Sequence, residues 1–320
     1  MEVYYNILYH VINNDIARIA VPLFFFISGF LFFYRISVFS KNEYKNKIKK
    51  RFKSLLIPYI FWNLVVLLLF FLSQIFISSI LSGRNKLITD YTYSDWLNIF
   101  WNFNNNGTPI CFQFWFIRDL IIVVLFTPLI YYFIKIFKTY GLAILGILWI
   151  FNIWFNIISF SIVSFFFFSF GAWFSINKKD FTVDFIPLRW IAVLTYVGLL
   201  IFNTILWYNK ITEYYFLNNL GILIGMIATI SWTAYGLKNN SIKPNYFLAT
   251  SSFFVYAYHG MPIALLIKIY MKFTVPYISE WTMIIGYILI PFIIAYIGVG
   301  IYAILHKYFP SFTALITGGR

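Results

Sequence analysis

Long apolar stretches alternate with short polar segments along almost the whole chain of 320 residues. Each stretch has about the 17–25 residues that an α-helix needs to cross the hydrocarbon core of a bilayer. The predicted spans lie at about 19–34, 55–77, 114–134, 140–157, 160–176, 190–207, 216–237, 246–270 and 281–305. The pattern therefore predicts an all-α, polytopic membrane helix bundle of about nine transmembrane helices, formed by a single integral-membrane domain over residues 1–320.

Three segments lie outside these spans and have a character of their own. Residues 1–14 are too short and too polar to span, and their apolar residues recur at spacings of three and four. This spacing predicts an amphipathic segment at the membrane interface. Residues 35–54 form a basic loop, and residues 78–113 form a polar loop that is long for a membrane protein.

Composition and charge support a membrane protein and give it an orientation. The chain is 62% hydrophobic and 11% charged, whereas soluble domains carry about a quarter charged residues. Most of the 24 Lys and Arg residues fall in loops on one side of the predicted bundle. By the positive-inside rule this side is cytoplasmic, so loop 35–54 and the C-terminus are inside and the N-terminus and loop 78–113 are outside. The positive charge thus indicates topology and contact with membrane lipid, and no nucleic-acid partner is predicted.

The cysteine content excludes some classes of site, and the N-terminal residues do not have the pattern of a signal peptide. The single cysteine, Cys111, excludes an internal disulfide and a cysteine metal cluster, and no metal-ligand spacing is found in the sequence. No cleavable signal peptide is visible, because the N-terminus lacks a basic region and a small-residue cleavage site.

The first span carries several features on one predicted helical face. Arg18, Pro22, Phe25 and Gly29 are separated by four, three and four residues, so an α-helix places them together. Gly29 would let a neighbouring backbone approach closely, and Ser28 offers a hydroxyl inside the hydrocarbon. We interpret this face as lining a site; the alternative is a lipid-facing helix with an interfacial arginine.

Ionisable groups inside spans are costly and commonly functional. Arg118 and Asp119 lie one turn into the third span. His259 lies midway along the eighth span, where Gly260 and Pro262 are expected to loosen the helix. The arginine and aspartate form either a self-paired structural couple or part of a site. His259 either hydrogen-bonds a neighbouring helix or transfers a proton, since imidazole titrates near neutral pH. His10 is expected to be a surface histidine.

Lys50, Arg51 and Lys53 end the basic loop beside the second span. They either fix the topology and contact anionic headgroups, or bind a phosphorylated cytosolic ligand. The sequence has no phosphate loop, dinucleotide fingerprint, GxSxG elbow or HExxH motif. Catalysis by an exposed nucleophile or by a metal therefore has no support in the sequence.

Four stretches resemble the integral-membrane acyltransferase-3 family: ARIAVPLFFFISGFLFF at 17–33, KKRFKSLLIPY at 49–59, FWFIRDL at 114–120 and SFFVYAYHGMP at 252–262. The resemblance implies a ten-helix bundle in a bacterial inner or cell membrane, with no permanently bound cofactor. It further implies transfer of an acyl group, commonly acetyl, from cytosolic acyl-CoA (acetyl-CoA) to an external hydroxyl. The implied acceptor is a surface polysaccharide, such as an exopolysaccharide, or its lipid-linked glycan precursor.

The same resemblance suggests roles for individual residues. Lys50, Arg51 and Lys53 match a basic patch that meets the CoA phosphates, Arg18 and Ser28 match an arginine and a serine of the family's second helix, and His259 matches a late-helix histidine. A histidine would act as base, while Arg18 or Arg118, with Asp119 beside it, stabilises charge near the outer face.

One departure from the family pattern concerns the start of the chain. By this resemblance, the family's key histidine lies in a first helix that this sequence lacks. The prediction of nine spans rather than ten and of an outside N-terminus agrees with a missing helix. His10 is a candidate to replace the missing histidine as base. Two alternatives stay open: a non-enzymatic polysaccharide exporter, and an inactive, truncated family member.

Overall fold

The computed structural model describes residues 2–36, 39–76, 86–155, 157–211 and 215–319, which form helices, turns and one isolated β-bridge between Asn102 and Thr108. In chain order the α-helices are α1 (Val3–His10), α2 (Ala20–Phe33), α3 (Lys41–Arg51), α4 (Ile57–Phe76), α5 (Tyr93–Asn98), α6 (Trp115–Leu125), α7 (Thr127–Ile150), α8 (Ile162–Ile176), α9 (Phe181–Phe185), α10 (Arg189–Tyr208), α11 (Tyr215–Lys238), α12 (Tyr246–Tyr258), α13 (Gly260–Thr274), α14 (Glu280–Tyr308) and α15 (Pro310–Thr317).

Six helical runs of the described residues are long and apolar enough to cross a membrane: Val3–Phe33, Lys41–Phe76, Thr127–Ile150, Phe181–Tyr208, Tyr215–Lys238 and Glu280–Tyr308. A seventh span results if α12 and α13, which are bent by 65° at a break, count as one. The helix α8 is apolar but shorter. The predicted class, an all-α polytopic membrane bundle, is confirmed, whereas the number nine and the orientation stay predictions.

The N-terminal residues join the first span without a break. A π-helical turn at Val11–Ile16 and a 3-10 turn at Ala17–Ile19 connect α1 to α2. These turns change the rotation per residue, so side chains leave the α-helical register. Pro22, Phe25 and Gly29 are buried but Arg18 is exposed. Three of the four residues predicted on one face are thus buried, and Arg18, in the 3-10 turn before α2, is exposed.

The third and fourth predicted spans divide at a different place. The helix α6 ends at Leu125 and α7 starts at Thr127, with Pro128 in its first turn. Proline is tolerated there but disfavours a helix continuing into it. The predicted loop at 135–139 is instead a kink within α7, where Lys138 has a φ of 49°. The predicted continuous span 114–134 is thus two helices.

The loop and the tail contain further helices. Residues 77–85 lie outside the described residues, but 86–113 of the predicted loop hold α5, whose Thr92 and Asp95 form a reciprocal cap. At the tail, the indole Nε1 of Trp62 in α4 donates a hydrogen bond to the carbonyl of Ile316 at 3.0 Å. The tail residues of α15 therefore pack on α4.

The chain divides into two compact units: unit 1 comprises the described parts of Met1–Lys47, Ile122–Pro244 and Ser279–Ile284, and unit 2 comprises those of Ile48–Ile121, Asn245–Ile278 and Ile285–Arg320. In unit 1, α2 packs along α8 through two glycines. A Cβ atom at Gly29 would lie 2.0 Å from the carbonyl oxygen of Phe168, and one at Gly171 would lie 1.8 Å from that of Phe26. The close approach predicted at Gly29 is confirmed, while the single domain stays a prediction.

Candidate functional site

Two of the stretches that the sequence singled out meet in unit 2. Phe114 stacks on Tyr256 with ring centroids 5.6 Å apart, and the ring of Phe116 meets Tyr256 edge-on. The hydroxyl of Tyr256 donates to the carbonyl of Gln113, and Gln113 Nε2 donates to the carbonyl of Ala257 at 2.9 Å. Gln113 was not among the predicted site residues. The feature of the sequence that could have identified it is a polar side chain directly before an apolar run.

His259 sits at the break between α12 and α13. Pro262 has no N–H group, so the carbonyl of Tyr258 loses its usual helical donor. Gly260 adds room, since a Cβ there would lie 2.7 Å from Gln113 Oε1. The helix therefore bends at His259, next to the side chain of Gln113.

The hydrogen bond of the His259 ring fixes its tautomer. Nδ1 lies 2.6 Å from the carbonyl oxygen of Tyr256. A carbonyl oxygen only accepts, so Nδ1 carries the hydrogen and Nε2 presents the lone pair of the neutral ring. The ring is half-buried. This arrangement suits a group that takes a proton at Nε2.

Arg118 and Asp119 form the self-paired couple that was one of the two predicted alternatives. Arg118 Nε and Nη2 donate to Asp119 Oδ1 at 2.9 and 2.7 Å, and both side chains are buried. Nη1 donates to the carbonyl of Asn106 at 3.0 Å, and the guanidinium lies 5.8 Å from the ring centre of Trp101. The pair thereby holds the loop before α6. Arg118 also lines a largely apolar cavity of about 500 Å³ together with Tyr59.

His10, in unit 1, is buried, so the predicted surface position is wrong. Its ring stacks on Trp207 at 4.4 Å, and Nε2 lies 3.9 Å from the carboxylate of Asp15, which is also buried. A π-helical turn brings residues five apart onto one face, which explains the pairing of His10 with Asp15. Asn14 Nδ2 lies 3.0 Å from His10 Nδ1 and can only donate to it. The proton-accepting nitrogen of His10 is therefore engaged by Asn14.

The other predicted site residues lie on the surface or half-buried. Arg18 is exposed and Ser28 is half-buried in α2 of unit 1. Lys50 and Arg51 end α3, and Lys53 lies in the π-helical turn Phe52–Leu56 that follows, all in unit 2. Lys50 and Lys53 are exposed and Arg51 is half-buried. Their roles stay predictions.

The residues described above lie in a part of the chain that matches a known protein family. A family model described as "Acyltransferase domain" matches residues 2–303, which include every residue discussed above as a site candidate. No curated protein and no solved structure matches the chain.

Proposed function

The chain belongs to the acyltransferase-3 family, and we propose that it transfers an acyl group, acetyl first of all, from acyl-CoA to a hydroxyl of a surface polysaccharide or lipid-linked glycan. Family membership and the long apolar helices make the chain a multi-pass integral membrane acyltransferase. The donor, the acyl group, the acceptor and a bacterial inner membrane are parts of the proposal.

The observation that carries the proposed chemistry is the tautomer of His259. Its Nδ1–H donates to the carbonyl of Tyr256, so Nε2 is oriented to accept a proton. The acceptor hydroxyl gives its proton to Nε2 while its oxygen bonds to the thioester carbonyl carbon. The C–S bond then breaks, and the departing thiolate takes the proton from the imidazolium as free CoA thiol. His259 thus acts first as base and then as acid.

A developing negative charge on the carbonyl oxygen requires a donor or a cation. Nε, Nη1 and Nη2 of Arg118 already donate to Asp119 and Asn106. Arg18, the other predicted candidate, is exposed, and its role stays a prediction. His10 is less suited to act as base, because Asn14 engages its Nδ1.

The test compares His259→Ala with His306→Ala in membranes that contain the full chain. Transfer of radiolabelled acetyl from acetyl-CoA to membrane glycans is measured. Loss of general acid–base catalysis costs about 10²–10⁴-fold in rate, so we expect His259→Ala to fall by about 100-fold or more. His306 is exposed and stacks on Tyr302, so His306→Ala should retain the activity.

Two results would contradict the proposal in different ways. Full transfer by His259→Ala, with loss in His10→Ala, would move the base to His10. If the unmodified chain exported glycan but transferred no acyl group from acyl-CoA, the non-enzymatic exporter would be the better description.

A further inference from the structure

Basic residues from separate parts of unit 1 surround a cavity of about 760 Å³. Arg35 follows α2, and Lys178 and Lys179 follow α8. The cavity wall between them is apolar and aromatic, and includes Phe30 and Phe181. A volume of this size is in the range of small-molecule sites, which combine apolar walls with a few placed polar groups.

A second, smaller cavity of about 180 Å³ adjoins the first and brings a fourth cation. Lys135 and Tyr131 of α7 line it, and Lys178 and Ile36 line both cavities. Arg35, Lys135 and the pair Lys178 and Lys179, which the sequence predicts on one side of the membrane, thus come together in the same part of unit 1. We call Arg35, Lys135, Lys178 and Lys179 the basic cluster.

The negative charges nearby do not balance the basic cluster. The helices α2 and α8 both end beside the basic cluster, and the C-terminus of each contributes about half a negative charge. Asp180 lines the larger cavity, but its Oδ1 accepts hydrogen bonds from Thr182 N and Thr182 Oγ1 at 2.9 and 2.7 Å. With Asp180 counted in full, about two positive charges remain. An anion of about that charge would balance them.

Aromatic rings contact three of the four cations of the basic cluster. Lys179 Nζ lies 4.9 Å from the ring centre of Trp173, the Arg35 guanidinium 5.2 Å from that of Tyr34, and Lys135 Nζ 5.8 Å from that of Tyr131. Each cation in these contacts is attracted by the negative face of a ring. All four cationic side chains are exposed.

We propose that the basic cluster and its cavities bind a phosphate or pyrophosphate ester carried on an apolar or aromatic group. Two molecules have this chemistry. One is the nucleotide end of acyl-CoA, an assignment that rests on the proposed function and is an alternative to the role predicted for Lys50, Arg51 and Lys53. The other is the headgroup of an anionic phospholipid. In both, the phosphates meet the cations while the adenine ring or the acyl chains contact the aromatic wall.

The experiment measures binding rather than turnover. The full chain is placed in nanodiscs of phosphatidylcholine, and CoA and inorganic pyrophosphate are titrated by calorimetry. The variant Lys178→Ala/Lys179→Ala is compared with Lys238→Ala/Lys243→Ala, which removes two exposed lysines that line neither cavity. Loss of two charge-assisted contacts should raise the Kd for CoA by about tenfold to hundredfold in the first variant only.

A second arm separates the two sources of phosphate. Nanodiscs containing phosphatidylglycerol are used, and lipid retained by the purified chain is measured by native mass spectrometry. If the ligand is a lipid, Lys178→Ala/Lys179→Ala loses retained phosphatidylglycerol while the Kd for CoA stays unchanged. The proposal is overturned if both double variants bind CoA, pyrophosphate and phosphatidylglycerol like the unmodified chain.

Failure of the phosphate-site proposal is distinguishable from failure of the proposed function. His259→Ala should bind inorganic pyrophosphate with unchanged Kd, because pyrophosphate carries no thiol and His259 does not line these cavities. Retained transfer by His259→Ala would overturn the assignment of the base and leave the phosphate site standing. Unchanged binding by Lys178→Ala/Lys179→Ala in both arms would overturn the phosphate site alone.

Discussion

Replacing Gly29 by alanine tests the packing of α2 on α8. The added Cβ would lie 2.0 Å from the carbonyl oxygen of Phe168, whereas carbon and oxygen atoms in contact stay about 3.3–3.6 Å apart. That oxygen belongs to the backbone of α8, so the two helices must separate by about 1 Å or more. Overpacking of this kind costs about 1–3 kcal/mol. The better helix propensity of alanine offsets only about 0.5–1 kcal/mol.

A matched control lies in the same unit. Gly198 is within α10, and a Cβ there would have no atom within 4 Å. Gly198→Ala therefore gains the better helix propensity of alanine and introduces no steric clash. Thermal unfolding of the full chain in detergent, followed by tryptophan fluorescence, gives apparent midpoints at one scan rate. We expect Gly29→Ala to unfold at a lower temperature than the unmodified chain, and Gly198→Ala at the same temperature or a higher one. If Gly29→Ala is as stable as Gly198→Ala, the close contact of α2 with α8 is refuted.

Two further predictions concern charged pairs. Asp119→Asn leaves the buried charge of Arg118 without its carboxylate, and removal of one partner of a buried pair costs about 3–5 kcal/mol; a thermal midpoint equal to that of the unmodified chain would contradict the pairing. The second prediction concerns pH. Hydrogen bonds from Lys86, and then from Thr92, lower the pKa of Asp95 to about 2. Because this pKa lies below the ordinary value of about 3.9, the stabilisation of α5 is present above pH ~4 and is lost as the pH falls towards 2. Amide hydrogen exchange in α5, corrected for intrinsic rates, should rise as the pH falls over that range. Asp95→Asn should show high exchange at every pH. If Asp95→Asn showed the same pH dependence as the unmodified chain, the cap would be contradicted.

The sequence predicts those features of the fold that depend on composition and on single residues. The long apolar runs predict the all-α membrane bundle, and the structure confirms this class. Gly29 predicts a close approach of two backbones, which α2 and α8 make. Gly260 and Pro262 predict a loosened helix around His259, and the chain bends there by 65°. Each prediction follows from a local steric or hydrogen-bonding property, so it needs no knowledge of distant partners.

Features that depend on a change of helix type or on a distant partner could not be predicted in this way. The burial of His10 depends on a π-helical turn and on Trp207, which is remote in the sequence. Gln113 contacts Ala257 through a hydrogen bond across unit 2, and periodicity carries no information on such a contact.

The helix break at His259 explains why polar side chains gather in an apolar part of the chain. Within a membrane, each backbone group without a partner costs several kcal/mol. At the break, the ring of His259 donates to the carbonyl of Tyr256, and the amide of Gln113 donates to the carbonyl of Ala257. The histidine is thereby part of what stabilises the bend, and the same hydrogen bond orients Nε2 as the proton acceptor. The structural and the catalytic interpretations of His259 are therefore compatible, because one contact satisfies the backbone and selects the tautomer that a base requires.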